Sequence, residues 1–192
     1  WASNRVELLE DIPEGHKQLQ PSNFDRDSQV ALKVLGLQWN APSDSFSFSV
    51  KPNDLSCTKR NILSEIARIY DPLGFLCPDS FLVKYIIQLL WKAGVDWYQE
   101  APTPISQLWN HLKEQLSTLS SVKIPRHVPL FVTADCQLHG FCDASERGYG
   151  CVIYLRRITQ GVPIVRLLTA KSKVAPLKCV SIPRLELCGA VL

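Results

Sequence analysis

Apolar and polar residues alternate strictly in SFSFSV (45–50): Phe46, Phe48 and Val50 share one face and the serines the other. A period of two is the signature of a half-buried strand. VLGLQW (34–39) reads as a second strand, and the NAPSD between them supplies the Pro and Asp of a hairpin loop several residues long. Residues 1–30 are polar and interrupted by Pro13, Gly15 and Pro21, so they predict loop or a short helix.

Past residue 57 the period becomes helical. In TKRNILSEIARIY, Ile62, Ile66, Ile69 and Tyr70 fall on one face, and DPLG (71–74) closes the segment. DSFLVKYIIQLLWKAG predicts a helix with Asp79 as N-cap and Gly94 at its end. TPISQLWNHLKEQLSTL predicts another, with Thr103 as N-cap and Pro104 in the first helical position. Its Ile105, Leu108, Trp109, Leu112, Leu116 and Leu119 form one apolar stripe. Stripes of this kind predict helix-to-helix core.

The Pro-rich IPRHVP (124–129) marks a domain boundary, dividing the chain into 1–125 and 126–192. Beyond it the pattern returns to strands. LHGFCDA (138–144) and YGCVIYLR (149–156) flank the tight turn SERG, and PIVRLLTAKS (163–172) follows. IPRLELCGAVL then opens a helix, with Pro183 in its first turn. Strand, strand, strand, helix with short links predicts an antiparallel meander crossed by a helix on one face. The fold class is α+β: a β-hairpin, a helical segment, then this meander and its helix.

Asp143 ends the first strand of the meander, and Glu186 sits in the first turns of the helix. A carboxylate at the end of an apolar strand is costly to bury unless it is paired, hydrogen-bonded or bound to a metal. If the helix crosses the sheet, the two side chains can converge at one edge as oxygen ligands of the kind Mg²⁺ takes, together with waters and phosphate. Two such ions would serve phosphodiester displacement. The plainer readings stand beside this one: DASERG is good turn chemistry, and an acid near a helix N-terminus is favoured by the dipole. Glu146, in the turn, reads as an exposed residue.

With 192 residues, 46% hydrophobic and 20% charged, the chain is globular and can bury a good core. A net charge of +3 permits contact with nucleic acid without requiring it. No apolar run reaches the roughly 18 residues of a membrane span. FLVKYIIQLLWKAGV is interrupted by Lys84 and Lys92, and nothing at the start resembles a secretory signal. Seven cysteines without a C-x-x-C pair predict reduced thiols and an intracellular protein, with the choice between a cytoplasmic particle and the nucleus left open. The absence of Met and a final helix without a closing signal point to a piece of something longer.

The runs LHGFCDASERGYGCVIYLR and LLTAKSKVAPLKCVSIPRLELCGAVL resemble the pol polyprotein of BEL/Pao-type LTR retrotransposons. WASNRVELLEDIP, LGLQWNAPSDSFSFSV, TKRNILSEIARIYDPLGFLCP and LLWKAGVDW resemble it too, so the likeness covers essentially the whole chain. It implies that 126–192 is the truncated first half of an RNase H-like domain. The Asp of DAS (Asp143) and the Glu of RLEL (Glu186) are then catalytic metal ligands, with Mg²⁺ as cofactor once residues beyond Leu192 complete the site. It implies that 1–125 is the end of a reverse transcriptase, with thumb- and connection-like helices. The partners implied are an RNA–DNA hybrid or other nucleic acid and the remainder of the polyprotein, with no membrane. The parent would be an RNA-directed DNA polymerase and ribonuclease H. This chain has no Y-x-D-D, so it is expected not to polymerise and to cleave weakly at most.

Two other functions compete. This region of Pao elements has carried an aspartic-peptidase label, but that chemistry normally uses D-[ST]-G turns. Here the nearest stretches are DAS and ADCQ (134–137). A domesticated, non-catalytic nucleic-acid-binding remnant is the other. For it, Lys59, Arg60, Arg68 and Lys84, with Lys51 and Lys92, are candidate phosphate contacts, and Trp39, Trp91, Trp97 and Trp109 candidate stacking residues. The plainer reading of both sets is solvated face and core.

Overall fold

The computed structural model describes residues 3–17, 31–34, 37–48, 55–69, 71–128 and 136–192. Expectations for Pro21, Val50, Lys51, Tyr70 and Asp135 lie outside these residues. The fold is α+β, and its contacts form two compact units: residues 1–51 with 115–127, and 52–114 with 128–192. The cut expected at 125/126 is therefore not the division observed. The Pro-rich link begins as a strand of the first unit, because residues 124 and 125 pair with the hairpin.

In the first unit, β1 (Ala31–Val34), β2 (Leu37–Asn40), β3 (Ser45–Ser47) and β4 (Ile124–Pro125) pair antiparallel in that order. The single strand expected over 34–39 is thus two. The stretch before it holds two short 3-10 turns, Val6–Leu9 and Glu14–His16. Phe48 is buried as the alternation requires, but Ser45 is buried too. Its hydroxyl lies 2.7 Å from that of Ser43, which removes most of the cost.

Asp44 closes the β2–β3 loop with φ 45°, a left-handed position that Asp tolerates. Its carboxylate accepts from Trp39 Nε1 at 3.0 Å, from Arg126 Nε at 2.5 Å and from Arg126 Nη2 at 3.1 Å. The Arg126 hydrogen bond holds the Asp44 carboxyl below its ordinary value, against a smaller opposing effect of burial. A depressed acid contributes stability that is present above the unfolded-state pKa, about 3.9, and lost as pH falls through the folded one. Arg126→Ala should therefore cost up to about 1 kcal/mol at pH 7, since the pair is partly solvated. The cost should shrink as pH falls below the unfolded-state value and through the lower folded one. Urea midpoints of the two proteins across pH 2–7 check this, and a gap that persists in acid would show that packing of Arg126 over Trp39 dominates.

In the second unit, α1 is Lys59–Ile66, α2 Cys77–Lys92 and α3 Thr103–Leu116, whose last two residues group with the first unit. Thr58 caps α1 by accepting from Asn61 N. Asp79 is not the cap of α2. Leu76 flanks the helix, and Asp71 takes the free amides of Phe75 and Leu76 at 2.9 and 2.7 Å. Asp79 sits in the first turn, and burial, with help from Asp71, pushes its carboxyl up. Thr103 lies inside α3, because the Pro102 carbonyl already accepts from Ile105 and Ser106. Gly94 ends α2 with φ 64°, as expected.

The meander forms as read: β5 (Cys136–Ser145), β6 (Gly148–Thr159) and β7 (Val162–Val174), followed by α4 (Ile182–Ala190). Gln160 and Gly161, both with positive φ, make the β6–β7 turn. One edge of the sheet is covered. Leu73 O accepts from Ala170 N and Thr169 Oγ1, each at 2.9 Å, and α2 reaches β7 through Lys84 Nζ to Ser172 O and the residue just past it through Gln88 Nε2 to Ala175 O. At the other edge no strand pairs with the outer side of β5 among the described residues.

Candidate carboxylate site at the open edge of the meander

Asp143 stands directly opposite Gly150 in the β5–β6 register. α4 meets the sheet at the same place. A Cβ on Gly189 would lie 3.3 Å from Gly150 O, 3.5 Å from Asp143 O and 3.5 Å from Cys142 Cβ. The bare backbone of Gly189 therefore lets the helix rest on these carbonyls. Leu185, one turn earlier, is buried, and Glu186 follows it, exposed. Glu186 lies three positions before Gly189, a rise of about 4.5 Å along the helix.

The faces of the sheet are set by alternation. Cys142 points to α4, so Asp143 projects to the opposite face. That face also carries Gly148, against which the Phe81 ring of α2 packs. A cleft of about 630 Å³ opens there, walled by Phe81, Phe141, Tyr154 and Leu167, with Asp143 among its lining residues. Asp143 thus lies on the sheet face away from α4, while Glu186 stands on α4 at the other face.

Both carboxylates are solvent-accessible. Asp143 Oδ1 accepts from its neighbour Ala144 N at 2.9 Å. Among the described residues neither has an ion-pair partner, so their charge is available to a cation. As hard oxygen donors they suit Mg²⁺, but they are two ligands of about six. No group of three or more His, Cys, Asp or Glu able to hold a metal occurs among the described residues. All seven cysteines are free, and burial pushes the Cys57 thiol up, as for a packed rather than a reactive thiol.

The basic candidates separate. Lys59 is only 3% exposed, its Nζ 2.5 Å from Val95 O and 4.1 Å from the Trp91 ring centre. A buried ammonium committed to a carbonyl and a π-face cannot serve as a phosphate contact, which corrects that expectation. Lys84 ties α2 to β7. Arg60 and Arg68 are exposed. Among the tryptophans, Trp109 is core, while Trp91 and Trp97 are exposed. Tyr98, the most exposed aromatic of that group, was not singled out in the sequence; its place beside Trp97 in a polar loop was the available signal.

A family model described as a Pao retrotransposon-like RNaseH-like domain matches residues 58–192. The match takes in α1, α2 and α3 as well as β5 to α4. No curated protein matches the chain. No helix among the described residues is long and apolar enough to cross a membrane.

Proposed function

Because the chain belongs to the Pao retrotransposon-like RNaseH-like domain family, we propose that Asp143 and Glu186 are metal ligands of an RNase H-type nuclease. In this reading it acts on an RNA–DNA hybrid within a BEL/Pao-type pol polyprotein. The observation that carries the reading is the contact of Gly189 with the Asp143 carbonyl, which sets Glu186 one helical turn from the strand that bears Asp143. In this reading the strand and the helix packed on it bring the two oxygen donors to the open edge of β5.

Asp143 and Glu186 would hold Mg²⁺, which when bound supplies charge stabilisation for phosphodiester displacement. The remaining ligands must come from water, from the phosphate or from another segment of the polyprotein. The reading of 1–125 as the end of a reverse transcriptase stays a proposal, and the family match, which starts at residue 58, takes in the α1–α3 part of that span. Nothing in the site favours an aspartic peptidase, since no D-[ST]-G turn is present.

Mn²⁺, a spectroscopic stand-in for Mg²⁺, tests this on the chain itself. Paramagnetic broadening should concentrate around residues 141–151 and 185–190. Asp143→Asn and Glu186→Gln should each weaken Mn²⁺ binding by about tenfold or more, at least the loss seen when even an outer-shell group is removed. Equal affinity in wild type and both variants would sink the reading.

A further inference from the structure

Three exposed aromatics cluster where α1 meets the 95–100 loop. Trp91, Trp97 and Tyr98 are 54%, 44% and 74% exposed. Trp91 and Trp97 meet edge to face with centres 6.0 Å apart. Lys59 Nζ sits 4.1 Å from one ring centre and 5.7 Å from the other, pinned by Val95 O. The Arg60 amide donates to Trp97 O at 3.2 Å, and its guanidinium lies 5.5 Å from the Tyr98 ring centre. The loop is tied down further by Ala101 N to Cys57 O and by the Thr58–Glu100 bridge. The rings are therefore held rigidly while their outer surfaces remain in water.

We propose that this aromatic platform is a contact site for single-stranded nucleic acid, separate from the carboxylate edge. The occupant follows from charge. Two cations already sit against the rings, so a cationic ligand such as a methylated lysine would be repelled. A planar neutral group joined to an anionic backbone fits: the base stacks on a Trp or Tyr face while Arg60 meets the phosphate. Asp96 and Glu100 flank the loop, so the platform is not a broad basic patch. Binding should be carried by stacking, with a shallow salt slope of about one to two phosphates. The proposal rests on the nucleic-acid reading above, deepened to a second, unpaired-strand contact.

The test uses the whole chain and a fluorescein-labelled twelve-residue oligo-dT without added metal. The oligonucleotide should bind and quench Trp fluorescence. Trp97→Ala and Tyr98→Ala should each weaken binding roughly five- to a hundredfold, the range for loss of one stacked base. Arg60→Gln should flatten the salt slope. Tyr98 is exposed enough that its variant should fold normally, and Trp91→Phe should retain much of the binding, which guards against loss by unfolding. Asp143→Asn should leave oligo-dT binding unchanged while impairing Mn²⁺ binding. Absent binding, or binding indifferent to Trp97 and Tyr98, overturns the platform, whereas the metal-site reading is decided separately by Mn²⁺. If Tyr98→Ala instead abolishes self-association and spares the oligonucleotide, the surface is a protein contact and the proposal fails.

Discussion

Gly74→Ala should lower stability by about 2–4 kcal/mol. Gly74 has φ 76°, and a Cβ there would stand 1.8 Å from the backbone oxygen of Ala170. The left-handed conformation alone costs an alanine roughly 1–2 kcal/mol. The clash is with backbone, so it cannot be relieved by a rotamer change. The 71–76 loop must lift from β7, which breaks the Ala170 N to Leu73 O hydrogen bond, worth about 1 kcal/mol. Gly94→Ala is the internal control. Its φ is 64°, but nothing lies within 4 Å of an added Cβ, so only the conformational cost applies. Urea denaturation of the two variants separates the effects. If both lose the same stability, the loop is not clamping the β7 edge.

Leu185→Ala should cost about 2–5 kcal/mol, the range for emptying a core leucine site. Leu185 is 2% exposed and anchors α4 on the sheet. Its larger interest is functional, because the same packing places Glu186. Even where the variant remains folded, Mn²⁺ binding should weaken although no carboxylate has changed, and amide exchange in 182–190 should speed up. Leu187, two residues on and 65% exposed, is the contrast: Leu187→Ala should alter neither. A Leu185→Ala protein with normal Mn²⁺ affinity would show that α4 packing does not position the ligand.

Much of the second unit was legible in the sequence. The presence of β5, β6, β7 and α4 follows from apolar runs, from the turn residues at SERG and from Pro183 in the first helical turn, although each strand runs one to three residues further at either end than the sequence predicts. All of these are local signals. The meander order follows as well, since links this short allow only neighbouring antiparallel strands. Asp143 and Glu186 were legible as candidates, because a carboxylate closing an apolar strand is unusual. Caps were less so. Asp79 and Asp71 are equally good cap residues in the sequence, and only the path of the chain turns Asp71 onto the amides of Phe75 and Leu76.

Lys59 marks the limit most clearly. By itself it reads as a solvated lysine at a helix start. Its burial depends on Trp91, Val95 and Trp97, more than thirty residues away, which supply the carbonyl and π-faces that replace water. The same holds for the sheet edges: no local pattern says that the loop at Leu73 covers β7 while β5 stays open. In the second unit the sequence by itself determined the three meander strands, their order and α4, because strand and helix signals are written residue by residue. Tertiary structure alone decided which cation is buried, which edge is open and where α4 rests, because those depend on desolvation and packing between segments far apart in the chain.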